Sequence, residues 1–456
     1  MAGIGFALRK LLERDSYTGV LQAYAYASLI GSGPWVLSIV GILVIGVLSM
    51  SVVVPADDVA RFQTSVTYLI AFSMILTGPV QIGFTRYIAD LLYRKDEARV
   101  LPNVNGMLCV VTCVSGAIGL ALMAAFFRGE GLVYRLLMLA AFVLLSNIWV
   151  ITIFLSGLKQ YHSILGLYVL GYGITVWAAL LLRPLGLDGL LLGFVLGHAV
   201  LFMGMVVLVL RAYPAGRFID FEFARRGALY PSLLVVGLAF NLGVWLDKLM
   251  FWFSDATGHA VIGPLRASLI YDLPIFLAYL SILPGMAVFL VRMETDFVEA
   301  YQRFYDAVRE GATLEHIEDV REEMVTTVRR GLFEIVKIQS IAALIVFMAG
   351  PRLLDWAGIP QLYLPLLYID VVAAGLQVVL LGLLNVFFYL DKRRAVMWLS
   401  IGFLAMNGLF TWLTLQLGAP YYGYGFALAM LASVVAGFVA LDRKLESLEY
   451  ETFMLQ

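Results

Sequence analysis

Residues 237–254 form an apolar run of membrane length that carries Asp247 beside Lys248. An ionised side chain at such depth costs roughly 2.5–3.5 kcal/mol on insertion scales, so charges there face protein or a wet cavity and find partners. Asn241, Trp245, Lys248 and Trp252 stand at i, i+4, i+7 and i+11, on one face of a helix. An amide, an ammonium and two indoles on one face can bond hydroxyl groups and stack on the apolar faces of sugar rings. They do not suit a lipid-facing surface. Adjacent helical residues point about 100° apart, so Asp247 and Lys248 are expected to serve different partners. Asp272 and Asp370 enter later apolar runs at similar outer depth, and Asp272 is the expected partner of Lys248. Arg86, with Asp90 at the inner end of an earlier run, completes the candidate pathway. Two readings stay open here: the charges brace helices or snorkel, Lys248 above all, or they line an acidic outward vestibule.

These side chains need membrane helices to hold them, and the composition supplies little else. Of 456 residues 62% are hydrophobic and 14% charged, which excludes a soluble globular protein and predicts an all-α polytopic membrane protein. Twelve spans are predicted, near 20–49, 62–89, 104–127, 132–156, 163–182, 187–210, 229–253, 267–290, 333–350, 362–390, 395–416 and 421–441. Residues 1–18 read as an amphipathic surface helix, with Ile4, Leu8, Leu11 and Leu12 opposite Arg9, Lys10 and Arg14. The spans group as an N-terminal bundle of six helices (19–212), a linker (213–228) and a C-terminal bundle of six (229–441), followed by a tail (442–456). Gly31-Ser32-Gly33-Pro34-Trp35 is expected to break the first span.

Basic residues set the orientation. With both termini inside, the cytoplasmic segments hold 22 Lys and Arg against 6 outside, which predicts an N-in/C-in topology. The excursion 291–332 is then cytoplasmic. It predicts one helix from Met293 to Glu310, stopped near Gly311, and a second from Leu314 to Arg330, capped by Thr313 and ended by Gly331. Phe297, Tyr301, Phe304 and Tyr305 give the first helix an apolar face that either packs on the cytoplasmic rim or docks a cytosolic partner. A short repeat, Ile75-Leu76-Thr77-Gly78 and Ile282-Leu283-Pro284-Gly285, maps span two onto span eight and fits two bundles sharing one pathway.

Motifs for bond chemistry are missing from the sequence. No Gly-Lys-Ser/Thr phosphate loop and no His-Glu-x-x-His occurs, and Cys109 and Cys113, four apart on one predicted span, read as packing residues. No catalytic residue, metal, cofactor or nucleic-acid partner is expected.

Gly3-Ile4-Gly5-Phe6-Ala7-Leu8-Arg9-Lys10-Leu11-Leu12, the Gly31–Trp35 break and Thr85-Arg86-Tyr87-Ile88-Ala89-Asp90-Leu91-Leu92-Tyr93-Arg94-Lys95 resemble the PelG family. Its members are inner-membrane subunits of Pel exopolysaccharide export, within the flippase superfamily of multidrug and oligosaccharide-lipid transporters. The resemblance implies two six-helix bundles around a central cleft, in the bacterial inner membrane. It also implies a glycan rich in N-acetylgalactosamine and its amino-sugar forms, and three protein partners. These are a cytosolic Pel glycosyltransferase, a membrane cyclic-di-GMP receptor and a membrane-anchored helical-repeat protein. The acidic candidates favour a neutral or partly cationic glycan over a lipid pyrophosphate. A cation or drug antiporter, and a scaffold anchoring the synthase, are the alternatives.

Overall fold

The computed structural model describes residues 22, 24, 27, 28, 37–46, 48, 49, 57–155, 161–213 and 216–454. The surface helix expected over 1–18 and the break at Gly31–Trp35 lie outside them. Among the described residues nine helices are long and apolar enough to cross a membrane, or ten if one bent pair is a single span. The chain divides into two compact units, residues 34–269 and residues 1–33 with 270–456.

The unit 34–269 contains α1 (Leu37–Gly46), α2 (Asp57–Tyr93), α3 (Val100–Phe126), α4 (Leu132–Leu155), α5 (Tyr161–Leu182), α6 (Gly186–Ala212) and α7 (Pro231–Phe253). Its core gathers Phe84, Ile88, Val104, Met107, Ile148, Ile151, Tyr168, Leu201 and Met205 from α2 to α6. The division expected from the sequence places α7 in the bundle 229–441, whereas the structure packs it on α2. The cause is a contact between two glycines. A Cβ on Gly237 would lie 1.9 Å from the Gly78 carbonyl oxygen, so the backbones meet where neither residue has a side chain.

A short antiparallel hairpin, β1 (His259–Ile262) and β2 (Leu265–Ala267), follows α7 and departs from the all-helical expectation. Val261 and Ile262 are β-branched, and Gly263 turns the chain with φ +51°.

The second unit contains α8 (Leu269–Leu280), α9 (Leu283–Val291), a π turn (Arg292–Asp296), α10 (Phe297–Arg309), α11 (Leu314–Ala357), α12 (Leu364–Tyr389), α13 (Arg393–Leu417), α14 (Tyr424–Glu446) and α15 (Leu448–Met454). A bend of 41° separates α8 from the helical stretch beginning at Leu283, where Pro284 removes a backbone donor.

α11 corrects the sequence reading. Thr313 caps it as expected, accepting a hydrogen bond from the His316 amide, but Gly331 does not end it. The helix runs 44 residues to Ala357, and the left-handed glycine that stops it is Gly358, at φ +68°. Gly331 serves close packing: a Cβ there would lie 2.4 Å from the Met293 methyl. At 1.5 Å per residue the helix is roughly 66 Å long, about twice a hydrocarbon core. Its N-terminal part must therefore project from the membrane as one piece with a span.

The cysteines also depart from expectation. Cys109 and Cys113 are exposed on the outside of α3, so they are not core packing residues. Trp177 and Trp356, at the ends of apolar runs, are exposed as interfacial anchors would be.

Candidate functional site: buried polar residues in two membrane units

In α7 the five candidate residues are buried: Asn241, Trp245, Asp247, Lys248 and Trp252. The Lys248 ammonium donates to both Asp247 carboxylate oxygens, at 3.2 and 3.0 Å, and to the Val244 carbonyl at 2.9 Å. Adjacent residues thus meet each other, a contact not expected from the sequence. The four-carbon stem of lysine curls back over the preceding turn and erases the 100° separation. With side chains only 1% and 0% exposed, both charges are held away from bulk water.

Around it the aromatic groups form a ladder. Tyr68 of α2 stacks on Trp252 at 4.5 Å, with Phe72 on one side of the ladder and Trp245 on the other. Arg266 of β2 fastens the end of α7 beside the hairpin, donating to the Trp252 carbonyl at 3.0 Å and to the Gly258 carbonyl at 2.9 Å, while the Tyr68 hydroxyl donates to the Arg266 carbonyl. Asn241 donates to the Gly237 carbonyl at 2.9 Å, beside the glycine crossing. The indole N–H of Trp245 is buried without an acceptor among the described residues. Arg86 stands apart, half-exposed and paired with Asp90 at 3.1 Å.

The second unit holds Asp272 and Asp370, both buried. Asp370, Gln377 and Asn385 follow one face of α12 at intervals of seven and eight residues. Gln339 of α11 fits against Gly285, where a Cβ would come within 2.6 Å of its Cγ and Cδ. Neither its carboxamide oxygen nor its nitrogen has a hydrogen-bond partner among the described residues, and the Gln377 oxygen has none either. Sequence reasoning passed over these glutamines because a neutral amide does not stand out in an apolar run as a charge does. The seven-residue step from Asp370 to Gln377 was the available signal.

Below this stripe the π turn buries Glu294, whose carboxylate accepts from Asn385 at 3.0 Å and from the Tyr389 hydroxyl at 2.8 Å. Arg292 bridges Asp296 and Glu334 next to it. A cavity of about 240 Å³ opens there, lined by Arg292, Asp296, Glu299, Arg303, Thr327 and Arg330. Its lining carries charges of both signs.

The aromatic residues of α10 turn inward. Phe297 and Phe304 are fully buried, and both Phe297 and Tyr301 pack on Tyr389. Phe297 and Phe304 are therefore not available to dock a partner, and Tyr301 and Tyr305 are half-buried in contact with each other. The apolar stripe was legible in the sequence, but not which neighbour covers it. Among the described residues no group of three His, Cys, Asp or Glu side chains forms a metal site.

The solved structures this chain resembles are membrane transporters, and they share its fold. The match to a MATE transporter in its bent conformation has a TM-score of 0.63 and 14% identity, covering 99% of each chain. The same score is reached with a MATE structure in the straight conformation, at 15% identity over 94% of this chain and 96% of that one. A transporter of the MOP superfamily from Pyrococcus furiosus matches with a TM-score of 0.59 and 14% identity, over 93% of this chain and 96% of that one. No match was found among curated proteins. The family model PelG, described as "Putative exopolysaccharide Exporter (EPS-E)", matches residues 1–453. The chain belongs to the PelG family, and it is a non-enzymatic, multi-pass transporter of the inner membrane.

Proposed function

We propose that this chain carries the Pel polysaccharide, an N-acetylgalactosamine-rich glycan, across the inner membrane as a cytosolic glycosyltransferase extends it. The observation that carries the reading is the family match over residues 1–453. The interior agrees with a polar cargo. The Trp245 N–H and the Gln339 amide are buried hydrogen-bonding groups without protein partners among the described residues, a condition native proteins keep where water or ligand completes the site. Twelve spans and both termini inside complete the proposal.

The synthase would dock on the projecting part of α11, whose exposed face carries Glu315, Glu318, Asp319, Glu322 and Glu323. The cyclic-di-GMP receptor and the helical-repeat protein join the same assembly. Because α11 is continuous with a span, movement at the docked end is transmitted along one rigid element.

The complex reconstituted in liposomes is expected to accumulate polymer in the lumen when donor sugar is supplied outside. Polymer found only outside, with the synthase active, would rule out transport. Reversing Glu318, Asp319 and Glu322 to arginine is expected to release the synthase from affinity-purified transporter by tenfold or more. Unchanged co-purification would move the docking site elsewhere.

A further inference from the structure

The connection between α6 and α7 is pinned to the first turns of α3. The Asp220 amide donates to the Pro102 carbonyl at 2.9 Å, Asn105 donates to the Phe218 carbonyl at 2.8 Å, and the Phe223 amide donates to Asn103 at 3.3 Å. Arg99 pairs with Glu222 at 3.3 Å, and Phe223 is buried edge-on against Phe84. Gly106 lacks a side chain where the Asp220 carbonyl approaches, since a Cβ there would lie 2.0 Å from that oxygen. The segment is held in place, and so is the face it presents.

That face is apolar and uncovered. Phe218 is 70% exposed, and Ile219 and Phe221 are 44% and 46% exposed. Three large apolar side chains within four residues are costly in water. Four arginines lie in or beside the connection, Arg211 in the last turn of α6 and Arg217, Arg225 and Arg226 after it, against two carboxylates, Asp220 and Glu222. All four arginines are exposed. Arg217 and Arg225 reach the carboxylates only at 3.8 and 3.6 Å, and Arg226 has no ion pair among the described residues.

The level of this face follows from α3. Asn105, which bonds Phe218, is one helical turn before Cys109, and Cys109, Val110, Cys113 and Val114 are exposed along an apolar helix. A turn spans about 5.4 Å, so the aromatic groups lie where α3 enters the hydrocarbon. Apolar groups inserted at that level, with guanidinium groups beside them, match the inner leaflet's acyl boundary and anionic phosphates.

We propose that residues 217–226 are an anchor for anionic phospholipid, with Phe218, Ile219 and Phe221 in the acyl boundary and Arg217, Arg225 and Arg226 on headgroup phosphates. The assignment to the cytoplasmic leaflet rests on the topology proposed above.

The test uses the full chain with Cys109→Ala, Cys113→Ala and Phe218→Cys, labelled with bimane at the single introduced thiol and reconstituted in phosphatidylcholine with or without phosphatidylglycerol. Bimane is expected to emit in the blue, to be quenched by lipid carrying a shallow doxyl group and to resist aqueous iodide. Phosphatidylglycerol should increase the doxyl quenching at least twofold, and Arg217→Gln, Arg225→Gln and Arg226→Gln together should abolish that increment. Iodide quenching without doxyl quenching overturns the anchor, as does shielding that appears only when the cytosolic synthase is added. Doxyl quenching equal in both lipids overturns the anionic preference. Labelling of the same thiol by an impermeant reagent in intact spheroplasts overturns the leaflet assignment alone, leaving the lipid result to stand or fall separately.

Discussion

Replacing Lys248 with methionine is expected to destabilise the protein by about 3–5 kcal/mol, because it removes one partner of a buried ion pair whose carboxylate side chain is 0% exposed. Methionine keeps most of the aliphatic stem, so the loss is electrostatic and not a cavity effect. The contacts at 3.0 and 3.2 Å couple the two residues directly. Lys248→Met and Asp247→Asn combined should therefore cost less than the sum of the single variants, by more than about 1 kcal/mol in a double-mutant cycle. Arg86→Gln is the contrast. Its pair with Asp90 is half-exposed, and its loss should change stability by about 1 kcal/mol or less. Unfolding of the purified protein in detergent, followed by its retention on size exclusion after heating, reads all four variants. A Lys248→Met protein as stable as the parent, or a cycle that adds within about 0.5 kcal/mol, would contradict this account of the pair.

The membrane helices were legible because hydropathy is a property of each segment alone. From α2 onward the predicted spans fall on helices, with 267–290 divided between α8 and α9 at the bend, and Gly311 and Thr313 mark the turn into α11 where their local chemistry puts them. Gly331 was misread because a glycine that ends a helix and one that admits a neighbour look alike in sequence. Only Met293 against its Cα distinguishes them. The grouping of α7 with α2 depends on a meeting of Gly78 and Gly237, residues far apart in the sequence, which no local pattern encodes. The candidate site divides in the same way. Asp247, Lys248, Asp272 and Asp370 stand out as charges, and all four are buried. Gln339, Gln377 and the Tyr68 ring that stacks on Trp252 carry no charge and needed the fold. Phe297 and Phe304 show the opposite failure, since an apolar stripe was visible but Tyr389, which covers part of it, was not.

Gly237→Leu is expected to prevent the protein from accumulating in a folded state, and Gly237→Ala to cost about 1–3 kcal/mol. The obstacle is backbone on both sides. A Cβ on Gly237 would lie 1.9 Å from the Gly78 oxygen, and one on Gly78 would lie 2.6 Å from the Gly237 oxygen. No rotamer change relieves such a contact, so α2 and α7 must separate along their crossing. Gly173→Ala is the matched control, on an α5 surface where nothing lies within 4 Å of the new Cβ. It should be neutral or stabilise by up to about 1 kcal/mol, since alanine loses less backbone freedom in a helix. Folded yield of a fluorescent fusion by size exclusion separates these outcomes, and a Gly237→Leu protein with the parent's yield would refute the crossing. The consequence reaches the pathway. Asn241, Trp245, Asp247, Lys248 and Trp252 all follow Gly237 on α7, and Tyr68, which stacks on Trp252, precedes Gly78 on α2. A displaced crossing therefore shifts the whole polar face against its aromatic partner. Gly237→Ala protein that still folds should lose export to a greater degree than its abundance falls.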